Sequence, residues 1–345
     1  MSPTPFLTIG IPCLNEEAFI EHCISCVMKQ DYPMDRMEVI VADGGSTDRT
    51  REILDELGQK YPNLRWIDNP ARIQAPAMNE IIRQSTGEFL IRLDAHCQYQ
   101  SDYVKTCVQV LARTGADNVG GAQRARSQSR FQRALCAALT SPVGVGGANY
   151  RDEQAEGFVD TVFCGAFRRS VFETVGMFDP NAITNEDAEL NQRIIEAGGK
   201  VYLSRDLVAE YFPRDSFRTL AKQYFKYGQG RARTLLKHGH FLKVRPALPF
   251  LMVIGGATLL FTSPHKLSTW MLFSAYSALT GTEAIRVGRR ERLSAIPLVW
   301  AIFPVLHISH GIGFARGLSK YLKKPDWAEA ETVPPLGSAA SVTSA

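Results

Sequence analysis

Phe89-Leu90-Ile91-Arg92-Leu93-Asp94-Ala95-His96-Cys97 is the stretch whose reading decides the fold. Its apolar run reads as a buried strand, and that strand leads into a carboxylate and an imidazole one residue apart. In open parallel sheets ligands bind at the carboxyl edge, where such a strand delivers its last side chains. If extended geometry persists through Ala95, alternation sends Asp94 and His96 to one side, with a small residue between them. Alone, the pair also suits an ordinary polar turn. Its meaning depends on what surrounds it.

Upstream, Phe6 to Pro12 is short and apolar, then comes Leu14-Asn15-Glu16-Glu17, then a helix through Lys29. Met37 to Ala42 repeats the pattern, followed by Asp43-Gly44-Gly45-Ser46-Thr47-Asp48 and a helix over Arg49 to Gln59. Two strand-to-helix units within sixty residues predict parallel pairing and right-handed crossovers. Leu64 to Ile67 reads as a third strand, and Ala75 to Thr86 as a helix that Gly87 ends before the central strand. The opening third is an α/β nucleotide-binding architecture. Downstream, helices are expected over Tyr103 to Arg113, Ser129 to Leu139, Arg169 to Val175 and Glu186 to Ala197. Strands are expected at Val119, within Phe158 to Phe167 and at Lys200 to Leu203, and a mobile glycine-rich loop at Pro142 to Gly147.

A chain of 345 residues with 45% hydrophobic content has material for one catalytic-sized domain and an appendage. The net charge of +4 gives no reason to expect nucleic acid. Nine Lys or Arg residues against one acid between Arg214 and Arg245 suit a segment facing anionic lipid or a polyphosphate, or a solvated helix face. Seven scattered cysteines point to a reducing compartment rather than a disulfide framework. The first residues lack the basic and apolar regions of a signal peptide.

Beyond Arg245 the composition turns apolar. Ala247 to Phe261 and Leu267 to Thr280 read as a membrane hairpin around Thr262-Ser263-Pro264-His265-Lys266, with a buried soluble helix pair as the alternative. Cytosolic basic clusters at Arg231 to Arg245 and Arg286 to Arg292 fit two spans. A third full span would carry Arg316, Lys320, Lys323 and Lys324 outside, so Leu293 to Phe314 is expected to lie in the interface or re-enter. The organisation that results is 1–240 catalytic, 241–325 membrane-associated helices and 326–345 a disordered tail.

Carboxylates stand at loop or helix starts: Glu16, Asp43, Asp94 and the pair Glu186-Asp187. Such groups can accept hydrogen bonds from a nucleobase and a ribose, while Asp94 and His96 can hold a divalent cation that neutralises a diphosphate leaving group. An imidazole in place of a second carboxylate favours Mn²⁺ over Mg²⁺. Each residue singly could be a cap or a turn residue. In this order they point to a nucleotide-diphosphate site.

The pieces Ile11-Pro12-Cys13-Leu14-Asn15-Glu16-Glu17, Asp43 to Asp48, Asp94-Ala95-His96 and Asn185-Glu186-Asp187-Ala188-Glu189-Leu190 resemble the ordered motifs of family-2 inverting glycosyltransferases with the GT-A fold. Asp94-Ala95-His96, Asn69-Pro70-Ala71-Arg72 and Phe163-Cys164-Gly165-Ala166-Phe167 are similar to the succinoglycan-biosynthesis (ExoA-like) branch. The resemblance implies that Pro12 and Glu16 line the nucleotide pocket and Asp43 binds uracil or ribose. It implies Asp94 and His96 at the Asp-x-Asp metal position, Asp187 as catalytic base, and Glu186 beside it. Gln223, Tyr227, Gly228, Gly230, Arg231 and Arg233 fall where processive relatives carry a Gln-x-x-Arg-Trp acceptor motif. With no Trp, the expectation is transfer of a single sugar, and Arg231 and Arg233 are candidate diphosphate contacts.

The expected partners are a nucleotide-diphospho-sugar donor, a divalent cation (Mn²⁺ or Mg²⁺), a lipid-linked saccharide acceptor and the inner or plasma membrane, with the catalytic part cytoplasmic. Two rivals differ in kind. A nucleotidyltransferase would show a basic, glycine-rich first loop where this chain has Asn15-Glu16-Glu17. A non-catalytic membrane adaptor would have no need of the acids.

Overall fold

The computed structural model describes residues 4–147, 151, 154–262, 266–291, 293–329 and 331–335. The opening units fold as the apolar runs predict: β1 (Leu7–Cys13), α1 (Ile20–Val27), β2 (Met37–Asp43), α2 (Thr50–Lys60), β3 (Leu64–Asp68), α3 (Gln74–Gln84) and β4 (Phe89–Arg92). Leu7, Ile9 and Ile11 of β1 are fully buried, as are Val39 and Val41 of β2. Each such side chain contributes about 1.5–3 kcal/mol of apolar burial. β1 pairs in parallel with β2 from Leu7 opposite Met37 to Cys13 opposite Asp43, and with β4 from Leu7 opposite Phe89. β3 adds in parallel outside β2. A side chain could not replace Gly87, because a Cβ there would stand 2.4 Å from the Thr8 nitrogen. That close approach brings β4 in beside β1.

The order β3-β2-β1-β4 reverses direction at β1, so a crevice opens at the carboxyl ends of β1 and β4. The sheet then becomes mixed through β5 (Gln98–Tyr99), β6 (Asn118–Ala125), β7 (Gly157–Phe158), β8 (Phe163–Arg168) and β9 (Val201–Tyr211). β8 lies antiparallel to both β4 and β6. Among the described residues this is a nine-stranded sheet of order β3-β2-β1-β4-β8-β6-β9-β5, with β7 paired to β9. The intervening helices are α4 (Tyr103–Thr114), α5 (Arg130–Leu139), α6 (Pro142–Val145), α7 (Ser170–Thr174) and α8 (Glu186–Glu196). Where a mobile loop is expected, Ser141 caps α6, its hydroxyl accepting from the Val143 and Gly144 nitrogens.

Compactness divides the chain at places other than residue 240. One unit is 1–122, 154–209 and the residues from 328, and the other is 123–153 with 210–327. The stretch expected to be a loose tail belongs in part to the first unit. The Glu331 carbonyl accepts from the Met177 nitrogen at 2.8 Å, its carboxylate pairs with Arg83, and the buried Val333 donates its N–H to the Phe172 carbonyl at 3.2 Å. The rest of that expectation, residue 330 and 336–345, lies outside the described residues.

The second unit holds α9 (Phe217–His238), α10 (Leu248–Thr262), α11 (Leu267–Glu291) and α12 (Ile296–Lys323). A Cβ on Gly228 would meet the His310 carbonyl oxygen at 2.1 Å, and one on Gly313 the Phe225 oxygen at 2.0 Å. Helices α9 and α12 therefore pack backbone against backbone, as small residues permit. Among the described residues, two segments are long and apolar enough to cross a membrane, Arg245–Thr262 and Leu293–Lys323. This differs from the expected hairpin. The Leu267–Thr280 arm is only half of α11, whose other half carries Glu283, Arg286, Arg289, Arg290 and Glu291. Of Leu293–Phe314, expected to lie flat or re-enter, the part from Ile296 belongs to a continuous helix through Pro304. Residues 263–265 of the predicted connection, and Arg292 of the basic cluster, lie outside the described residues.

Candidate active site

The loops after β1 and β2 are laced together by short polar side chains. The Asn15 nitrogen donates to Ser46 Oγ at 2.8 Å, the Thr47 nitrogen to Asn15 Oδ1 at 2.8 Å, and the Glu16 nitrogen to Thr50 Oγ1 at 2.8 Å. Asp43 stands beneath this lacing with no exposure. It accepts from the Gly45 and Ser46 nitrogens at 3.0 Å each, from the Ser46 hydroxyl and from Arg51 Nε at 2.5 Å. Burial alone would raise its pKa, but the Ser46 and Arg51 hydrogen bonds outweigh that and hold it below the usual carboxylate range. Asp43 thus shapes the turn of the second loop.

A cavity of about 220 Å³ opens at the switch point of the sheet. Pro12 and Cys13 at the end of β1, Glu16 after it, Asn69 and Arg72 after β3, Gln74 of α3, and Asp94 and His96 after β4 are among its walls. Of the sequence-predicted residues it gathers Pro12, Glu16, Asp94 and His96, while Asp43 is not among its lining. Asn69 leaves its buried Oδ1 without a partner, its Nδ2 being committed to the Ile73 carbonyl at 3.0 Å.

The strand ends at Arg92, and a turn over Ala95 and His96, closed by the Cys97 nitrogen on the Asp94 carbonyl at 3.1 Å, replaces the extended geometry expected through Ala95. The turn still gathers donors. One ligand atom each from Asp94, His96 and Cys97 lies within 4.8 Å of the others. His96 Nδ1 is 3.3 Å from Glu16 Oε1. Burial, then the Asp94 charge, push the Cys97 thiol pKa up, so that thiol stays protonated. Carboxylate and imidazole suit a borderline divalent cation such as Mn²⁺. The Tyr99 hydroxyl receives the Asp94 N–H at 2.8 Å and is 3.6 Å from Cys164 Sγ, which pins the turn from below.

Arg92 connects this turn to α8. Its Nη2 is 3.3 Å from Asp94 Oδ1, its Nη1 is 3.2 Å from Glu186 Oε1, and Nη1 also donates to Asp187 Oδ1. Burial would favour loss of its proton, yet the charges of Asp187, Asp94 and Glu186 hold the guanidinium firmly charged. Asn185, left-handed at φ 61, turns the chain into α8 and sets Glu186 and Asp187 in its first turn. Burial first, then the Glu186 and Asp94 carboxylates, push the Asp187 pKa up to about 7 against the opposing pull of Arg92. Three carboxylates share one guanidinium, an excess of negative charge that a divalent cation beside Asp94 would offset.

Sequence reasoning passed over Arg92. The available signal was a charged residue inside the buried run Phe89 to Leu93, which demands acidic partners elsewhere in the chain. Arg231 and Arg233 belong to the second unit, where Arg233 is buried with Nε 2.7 Å from Asp326 Oδ1.

Comparison with known proteins bears on this arrangement. The family model described as Glycosyl transferase family 2 matches residues 8–176. The chain is 32% identical to the succinoglycan biosynthesis protein ExoA of Rhizobium meliloti over 321 residues, 92% of this chain and 96% of that protein. The chain belongs to glycosyltransferase family 2. This family-2 glycosyltransferase is also 28% identical, over 91% of its length and 98% of the relative's, to dolichyl N-acetyl-alpha-D-glucosaminyl phosphate 3-beta-D-2,3-diacetamido-2,3-dideoxy-beta-D-glucuronosyltransferase of Methanococcus voltae. Among solved structures, the mannosyltransferase PcManGT of Pyrobaculum calidifontis, in complex with GDP-Man and Mn²⁺, superposes with a TM-score of 0.59 at 20% identity. That match covers 92% of this chain and 88% of the other, and the shared fold is GT-A.

Proposed function

We propose that this glycosyltransferase moves one sugar, with inversion, from a nucleotide-diphosphate donor to a lipid-linked or polysaccharide-precursor acceptor at the cytoplasmic face of a membrane. The observation that carries the reading is Asp187, a carboxyl poised near neutrality and tied through Arg92 to Asp94 on the cavity wall. A general base works best with a pKa near the operating pH, and an inverting displacement needs one such base and no covalent intermediate.

In this mechanism Pro12 and Glu16 border the donor pocket, the Asp43-shaped turn and Asn69 meet its nucleoside end, and Asp94 and His96 would hold a divalent cation. Bound there, a cation would neutralise charge on the departing diphosphate. Asp187 accepts the proton of the acceptor hydroxyl as its oxygen attacks the anomeric carbon, and Glu186 supports the helix start from which Asp187 projects. The segments Arg245–Thr262 and Leu293–Lys323 give a route to membrane attachment. A saccharide acceptor on a lipid is in keeping with the M. voltae relative, whose name specifies a dolichyl-phosphate saccharide.

The test is a donor screen. Purified protein is incubated with UDP- and GDP-sugars, Mn²⁺ or Mg²⁺ and a lipid extract, and the product is analysed for anomeric configuration. Inverted product dependent on a divalent cation is expected. A retained configuration, or turnover of no nucleotide sugar, refutes the proposal.

A further inference from the structure

Arg92 is a costly residue to keep. It sits in the strand that forms the floor of the site, its side chain only 4% exposed, and it meets three carboxylates rather than one. Two of its donors, Nε at 3.4 Å and Nη2 at 3.3 Å, face Asp94 Oδ1. The third, Nη1, is shared between Glu186 Oε1 at 3.2 Å and Asp187 Oδ1. One edge of the guanidinium therefore holds the turn after β4, and its end holds the first turn of α8, more than ninety residues further along the chain.

A core built only for stability would do as well with apolar side chains, because desolvating charges commonly cancels the attraction between them. What a planar fork adds is direction: it fixes two carboxylates relative to one another, which a single ammonium on a flexible stem cannot do. We infer that Arg92 is a positioning residue of the transfer reaction, bridging the cation-side carboxylate Asp94 to Asp187 so that the base faces the reacting centre at a fixed separation from the diphosphate. The inference rests on Asp187 being the base. Arg92 itself touches neither donor nor acceptor in this scheme, and its effect reaches the reaction through the orientation of Asp187. Misplacing a catalytic group by an ångström costs on the order of 10²-fold in rate, which sets the scale of the effect.

The experiment is a double-mutant cycle on the full-length protein with saturating Mn²⁺, reading kcat and donor KM separately. Arg92→Lys should lower kcat about 10–100-fold and leave donor KM within about threefold. In the Asp187→Asn background the same change should cost less than about threefold, because the group it positions no longer takes a proton. Equal costs in both backgrounds, or a loss expressed in KM alone, would mean that Arg92 is merely structural and overturn the inference. Full activity of Asp187→Asn by itself would overturn the base assignment and this inference together, so the two failures are distinguishable. If Arg92→Lys does not fold, Arg92→Gln combined with Glu186→Gln keeps the net charge of the buried cluster. Against Glu186→Gln alone, a further loss of at least about tenfold supports positioning, and a difference within about threefold overturns it.

Discussion

As the proposed base, Asp187 would tie catalysis and stability to pH with opposite signs. With its pKa pushed up to about 7, the carboxylate form needed to accept a proton gains population as pH rises through neutrality, so kcat should rise over that range. Folding raises this pKa above the ordinary Asp value, so the associated stability is fully present below about pH 4 and is lost as pH rises through about 7. The melting temperature should therefore fall between pH 5 and pH 8 while kcat climbs. Asp43 acts in the other sense and another window, its contribution disappearing only as pH falls below the usual carboxylate range. Replacing Asp187 by Asn should remove both trends at once and lower kcat by about 10²–10⁴-fold, the range for lost general-base catalysis. Initial rates from pH 5.5 to 8.5 at saturating donor and cation, alongside calorimetric melting of both proteins, check this. A wild-type profile flat across neutrality, or an Asn variant retaining its acid limb, refutes the assignment.

Further outcomes follow from neighbouring contacts. His96→Ala should weaken Mn²⁺ binding, measured by calorimetric titration, with little change in melting temperature, since His96 is exposed and meets Glu16 at its edge; unaltered affinity would remove it from the ligand set. Asp43→Ala should cost about 2–3 kcal/mol by denaturant unfolding, the range for losing hydrogen bonds to a buried charged group, and weaken nucleoside diphosphate binding by loosening the Gly45-Ser46 turn. Nucleotide affinity equal to wild type would exclude any part for that turn in the pocket. Gly313→Leu should drive α12 off α9 and sharply lower detergent-extracted yield and melting temperature, because its Cβ alone would stand 2.0 Å from a carbonyl oxygen; a wild-type melting temperature would contradict the backbone contact.

The parallel half of the sheet was legible because each of its strands is an uninterrupted apolar run bounded by turn residues, as in Met37 to Ala42 before Asp43-Gly44. β9 was read only to Leu203, since Arg205-Asp206 breaks the apolar run although the strand continues to Tyr211. The acids at the loop starts could be named from their order in the chain, but their division of labour could not. Asp43 spends its oxygens locally on Gly45, Ser46 and Arg51, whereas Asp187 reaches the guanidinium it shares with Asp94 only through a contact with Arg92, 95 positions away. The apolar C-terminal stretches were visible by composition. Which of them would be long enough to span was decided by the charges in the second half of α11 and by the uninterrupted run of α12 through Pro304.

The return of the chain to the first unit at Glu331 and Val333 bears on how the protein can be handled. A soluble fragment cut after Gly239 would lose α12, against whose backbone α9 is laid, and also the short C-terminal clasp on Arg83, Met177 and Phe172. A protease that trims back to Trp327 would strip a staple from the first unit without touching any residue of its cavity.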